Sequence, residues 1–114
     1  MNDELYHFDL YQDAAEATAV YPNKGDNLYY PALGLAGEAG EVCEKIKKIM
    51  RDQNGEFDQN NVEDLTKELG DVLWYVAMIA AELNLSLASV AEGNIAKLLD
   101  RKARGVIKGS GDER

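Results

Sequence analysis

The sequence predicts an all-α fold, a bundle of four to five helices, and three observations carry that prediction. Apolar residues recur at three- and four-residue spacing through most of the chain, with little strand-like alternation. Only two prolines interrupt the pattern, and the polar stretches between periodic segments are short and rich in turn formers. Finally, the pattern Glu38-x-Gly40-Glu41 returns thirty positions later as Glu68-x-Gly70-Asp71, in the same phase against an apolar stripe. Two similar helices would produce such an echo. A solenoid would need more repeats.

The elements follow from local signals. A first helix is expected from about Asp3 to Val20, with Phe8, Tyr11, Ala15 and Ala19 on one stripe. The turn-rich "YPNKGDNLYY" ends it. A second helix starts near Pro31, a residue suited to a first turn, and runs to about Arg51. The polar "DQNGEFDQNN" that follows lacks calcium-loop spacing, because Met50 stands where an aspartate is needed five residues before Gly55. Asn61 is the expected cap of a third helix, with Asp64 three residues on, and this helix reaches about Leu83. Ser86 caps a fourth, which ends near Arg104. Residues 105–114 are glycine-rich and expected to be irregular. No linker divides the chain, so residues 1–114 form one domain.

Composition narrows the partners. A net charge of −9 and a pI near 4.5 argue against duplex nucleic acid or an anionic membrane as the main partner. No apolar run reaches the ~18 residues of a membrane span, and no secretory signal opens the chain. The single Cys43 excludes an internal disulfide and a cysteine-based zinc cluster. A cytoplasmic location is the expectation. The charge is uneven: Lys97, Arg101, Lys102, Arg104 and Lys108 gather near the C-terminus.

The doubled acids carry the chemistry. At ~100° per residue, Leu35, Ala39, Val42, Ile46 and Ile49 form one stripe, and Glu38 and Glu41 lie on its flank. Leu65, Leu69, Val72, Val76 and Ile79 form the next stripe, with Glu68 and Asp71 on the matching flank. Residues three apart are neighbours on a helix. A short connection favours antiparallel packing of the two helices, which would bring both pairs together. Clustered carboxylates repel and resist ionisation. A hard divalent cation relieves that conflict, and oxygen donors select Mg²⁺, Mn²⁺ or Ca²⁺. A di-iron site needs Glu-x-x-His pairs, and the only histidine, His7, is in neither motif. Gly40 and Gly70 sit inside the pairs at a cost of about 0.5–1 kcal/mol each relative to alanine, which points to close backbone approach or space for a ligand. The bland reading is a solvated acidic face, with Glu41–Lys45 and Glu44–Lys47 or Glu44–Lys48 as ordinary helical ion pairs. Glu44 lies nearly opposite the stripe and ranks below Glu38 and Glu41.

"GLAGEAGEVCEKIKK" followed by "ELGDVLWY" resembles the all-α nucleoside triphosphate pyrophosphohydrolases, specifically the MazG-like group. Their signature is E-x-x-E, a variable gap, then E-x-x-D, and Glu38, Glu41, Glu68 and Asp71 match it. The tail "NIAKLLDRKARGVIKGSGDER" is similar to the end of short, single-domain members. The resemblance implies Mg²⁺-dependent hydrolysis of a (deoxy)nucleoside triphosphate between the α and β phosphates, giving the monophosphate and pyrophosphate. Mn²⁺ would substitute. Glu38, Glu41, Glu68 and Asp71 would hold the metal, with Glu38 or Glu41 assisting the attacking water.

On the fourth helix, Asn94, Lys97 and Arg101 share a face and resemble the family's phosphate-contacting segment, with Arg104 and Lys108 as weaker candidates. Tyr75, one turn after Asp71, resembles an aromatic near the nucleotide; Tyr29 and Tyr30 could border a base pocket or simply pack. The family is dimeric or tetrameric, and Trp74, Met78 and Ala81, a second apolar face on the third helix, are the expected subunit interface. The alternative is a non-catalytic nucleotide- or metal-binding oligomer of the same fold.

Overall fold

Among the described residues four helices form: α1 (Phe8–Glu16), α2 (Tyr29–Asp52), α3 (Gln59–Glu82) and α4 (Leu87–Ala103). They are seen in a computed structural model that describes residues 7–114. Among the described residues no strand forms. The two long helices lie antiparallel, α2 resting on α3 alone, while α1 packs on α3 and α4. The chain bends by 103° between α3 and α4. Among the described residues no single helix is long and apolar enough to cross a membrane.

The helix ends explain where the expected boundaries shift. Residues 3–6 of the expected first helix lie outside the described residues; His7 is extended, so α1 begins at Phe8. It stops at Glu16 rather than Val20. Thr18 Oγ1 turns back onto the Ala15 carbonyl at 2.7 Å, and Lys24 Nζ caps the Glu16 carbonyl at 3.1 Å. The following loop is drawn across to α3 by one carboxylate: Glu82 accepts from Tyr21 Oη (2.5 Å), Gly25 N (2.9 Å) and Asn27 N (3.0 Å).

The second helix starts at Tyr29, two residues before Pro31, with Asn27 Oδ1 accepting from Tyr30 N at 3.1 Å. The third is capped by Asp58, not Asn61. Asn61 instead completes a capping box, each side chain accepting from the other's backbone N–H at 2.8 and 3.0 Å.

The fourth helix is anchored by α1. Ser86 caps Ser89 N at 3.0 Å as expected, but Gln12 and Asp9 also accept, from Leu87 N (2.9 Å) and Ala88 N (3.0 Å). Gln12, buried, further donates to the Ala77 and Leu85 carbonyls. This one amide joins α1, α3 and α4.

The core is small: Ala15, Tyr21, Ala77, Met78 and Leu87, with Tyr11, Ala19, Trp74 and Val76 packed against it. Of the expected subunit interface, Met78 is unavailable because it is fully buried within the chain, while Trp74 and Ala81 are partly buried. The loop after α1 covers that face, Met78 is fully buried, and Trp74 Nε1 donates to Thr18 Oγ1 at 2.9 Å. The uncovered apolar surface lies elsewhere. Leu33 (73% exposed), Met50 (74%), Leu69 (57%) and Leu99 (62%) stand on outer faces, Leu69 from the very stripe expected to be buried. The radius of gyration, 16.9 Å, exceeds the about 13 Å of a compact chain this long. The accessible surface, 8262 Å², likewise exceeds the roughly 6,200 Å² expected for its mass.

Candidate metal centre

The antiparallel pairing of α2 and α3 brings Glu38, Glu68 and Asp71 together. One oxygen from each lies within 4.8 Å of the others. Glu38 and Glu68 are partly buried and Asp71 is exposed. Glu41, the fourth acid of the doubled motif, falls outside this set and is exposed, one turn further along α2.

The electrostatics show the strain of the cluster. The Glu38 carboxyl is raised above its ordinary range, first by hydrogen bonding with Glu68, then by partial desolvation and by the charges of Asp71, Glu68 and Glu41. Crowded carboxylates repel, and a proton on Glu38 relieves part of that repulsion. A divalent cation does the same with more charge. Three hard oxygen donors converging on one point fit a divalent cation that keeps water ligands. Lys45 Nζ, 3.9 Å from Glu68 Oε1, is the cation paired with the cluster among the described residues. The helical pair expected with Glu41 is replaced by this cross-helix contact. Glu44 pairs with Lys47 (2.9 Å) and Lys48 (3.9 Å), as the spacing foretells.

Beside the acids lies a cavity of about 270 Å³ lined by Glu38, Asp71, Trp74 and Tyr75. The Tyr75 ring meets Trp74 edge-on at 5.0 Å, Trp74 meets Tyr21 edge-on at 6.4 Å, and Tyr21 stacks on Tyr30 at 4.8 Å. Burial, then the neighbouring Tyr30 and Glu38, push the Tyr75 hydroxyl pKa up. Tyr30 thus joins the aromatic chain, whereas Tyr29 is exposed. Tyr75 lies flat on α2 because residue 34 is glycine: a Cβ there would collide with three ring atoms. The two glycines inside the doubled motif behave differently. Among the described residues nothing lies within 4 Å of a Cβ built on Gly40 or Gly70, so the close backbone approach expected there is not found; the crowded glycine is Gly34, under the Tyr75 side chain.

The α4 candidates are placed apart from one another in exposure. Asn94 is exposed, and Lys97 is partly exposed and paired with Asp112 at 3.2 Å. Arg101 is only 3% exposed. Its Nη2 donates to the Asp112 carbonyl at 2.6 Å and meets the Asp112 carboxylate at 3.3 Å, while its Nε is buried with no partner among the described residues. The irregular tail is thus fastened over α4. Arg114 donates to the carbonyls of Val106, Ile107 and Gly111, and Arg104 to that of Arg114. Lys97 first, then Arg101, hold the Asp112 carboxyl below its usual range. Arg104 also pairs with Asp100 at 2.9 Å, and Lys108 is exposed.

Sequence reasoning missed Lys45, Gly34 and Asp112. Lys45 lay hidden as a routine helical pair, and Gly34 carried no signal beyond its residue type. The Asp112 contacts depend on how the tail folds back.

A family model described as the MazG nucleotide pyrophosphohydrolase domain matches residues 31–106. The chain is also similar to the Gene 37 protein of Mycobacterium phage L5, 52% identical over 113 residues, covering 95% of this chain and 99% of that one. No solved structure matches.

Proposed function

Because the chain belongs to the MazG nucleotide pyrophosphohydrolase family, we propose that it hydrolyses a (deoxy)nucleoside triphosphate between the α and β phosphates, with Mg²⁺ as cofactor and Mn²⁺ as substitute. The observation that carries this reading is the convergence of Glu38, Glu68 and Asp71 beside a cavity walled by Trp74 and Tyr75. A divalent cation held by these acids, with Glu41 nearby, supplies neutralisation of the phosphate charge and a water ligand of lowered pKa.

The chain's own groups divide the remaining work. Trp74 and Tyr75 flank the base and exclude water from one side. Glu38 or Glu41 takes the proton of the attacking water; Glu41, exposed and one turn away, suits a proton acceptor. Asn94 and Lys97, on the helix that follows α3, contact the α-phosphate, nearest the base. Arg101, buried and bonded to Asp112, is not free to join them. The exposed Leu33, Met50, Leu69 and Leu99 support a homo-oligomer, a dimer or tetramer, that buries them.

The test is incubation with Mg²⁺ and each common NTP and dNTP, resolving mono-, di- and triphosphates. Monophosphate with pyrophosphate in equal amounts is expected. A diphosphate product, or no turnover of any nucleotide with either metal, overturns the proposal.

A further inference from the structure

The flank that carries the acids continues beyond them. On α2, Glu38, Glu41, Lys45, Lys48 and Asp52 fall within roughly one third of the helix circumference at ~100° per residue. On α3, Tyr75, Asp71, Glu68, Asp64 and Asn61 do the same in the opposite direction. The result is one groove along the α2–α3 seam with two ends of different chemistry. At one end is the cavity of Trp74 and Tyr75. At the other is a cavity of about 180 Å³ lined by Lys45, Lys48, Gln53, Asn61, Asp52 and Asp64 with apolar neighbours. From Gly34, against which the Tyr75 ring lies, to Lys45 is eleven residues, ~17 Å at 1.5 Å per residue, a span that suits an extended nucleoside triphosphate laid lengthwise.

Lys45 links the parts. It lines the second cavity and its Nζ stands 3.9 Å from Glu68 Oε1 in the acid cluster. Of the two aspartates there, Asp52 is already neutralised by Arg51, at 2.7 and 2.8 Å. Asp64 remains as an acid of the wall. Lys45, Lys48 and the amides of Gln53 and Asn61 supply cations and N–H donors in one small space. Such a set suits an anion that arrives with its own Mg²⁺.

We infer that the Lys45–Lys48 cavity is the subsite for the diphosphate end of the substrate and for the pyrophosphate product, while the base lies at Trp74 and Tyr75. This inference rests on the proposed hydrolysis and adds the direction in which the nucleotide lies.

Calorimetric titration of inorganic pyrophosphate with Mg²⁺ tests it, against the parent, Lys45→Met, Lys45→Arg, Lys48→Met and, as control, the exposed Lys67→Met. Lys45→Met should weaken pyrophosphate binding at least fivefold, Lys48→Met by less, and Lys45→Arg should largely restore it. Binding of the nucleoside monophosphate with Mg²⁺ should stay within twofold, and all variants should melt as the parent does. Unchanged pyrophosphate binding in Lys45→Met overturns the subsite, as does equal weakening of pyrophosphate and monophosphate, or a parent that binds no pyrophosphate. A parent that binds pyrophosphate through Lys45 yet turns over no triphosphate overturns the hydrolase reading and keeps the subsite.

Discussion

Replacing Gly34 by alanine separates the packing of the site from the packing of the fold. A methyl group at residue 34 would overlap Tyr75 Cε1 and Cζ and stand 2.7 Å from Cδ1, where ordinary contact begins near 3.4 Å. The ring must retreat by roughly 1 Å, or α2 must lift from α3. Retreat is resisted by Trp74, whose ring sits edge-on at 5.0 Å. Overpacking of this kind costs about 1–3 kcal/mol, and alanine returns about 0.5–1 kcal/mol of helix propensity. The net loss is about 1 kcal/mol, a fall in Tm of a few degrees. Misplacement by ~1 Å at a reacting site can cost ~100-fold in rate, so kcat/KM should fall ten- to hundredfold while the fold survives. Gly40→Ala and Gly70→Ala meet open space and should each stabilise by about 0.5–1 kcal/mol. Thermal melts and kinetics on the three variants measure both effects. A Gly34→Ala protein with the parent's Tm and the parent's kcat/KM would show that Tyr75 does not lie against α2.

Three further outcomes are expected. Glu82→Ala removes the acceptor of Tyr21 Oη and of the backbone N–H groups of Gly25 and Asn27 and should cost about 1–2 kcal/mol in urea melts, because water reaches these partly exposed groups. The Tyr21 hydroxyl, then the Asn27 and Gly25 N–H groups, hold the Glu82 carboxyl below its ordinary value. Its contribution is therefore complete above the unfolded pKa and fades as pH falls through the folded one, a slope that Glu82→Gln should lack. For Glu38 the sign is opposite: its pKa is raised, so the metal-free protein loses stability as pH rises through that value, and Glu38→Gln should abolish both this loss and the Tm gain from Mg²⁺. Finally, light scattering should give a mass above one chain, and Leu69→Glu with Leu99→Glu should lower it; a parent that scatters as a monomer contradicts the reading of the exposed faces.

Four helices and the pairing of the second with the third were legible because their signals are local: periodic apolar stripes, a short polar loop, and an acid pattern written twice in one phase. The convergence of Glu38 with Glu68 and Asp71 follows from that phase and the antiparallel turn. What stayed hidden depends on contacts distant in sequence. Gln12 reaches Leu87 across seventy-five positions, and Glu82 takes hold of the Tyr21–Asn27 loop, so α1 ends early. Trp74 and Met78 read as an outer face because the loop that covers them has no periodicity of its own. Lys45 satisfied a four-residue helical rule with Glu41 and was found across the seam at Glu68 instead.

Two helices each lend acids to one cation, and titration of Mn²⁺ into the nucleotide-free protein, followed by paramagnetic resonance, reads that directly. The parent should bind the metal, Glu68→Gln and Asp71→Asn should each weaken it at least tenfold, and the distant, exposed Glu63→Gln should match the parent. Equal binding by the parent, Glu68→Gln and Asp71→Asn would contradict the account, because the metal would then lie elsewhere.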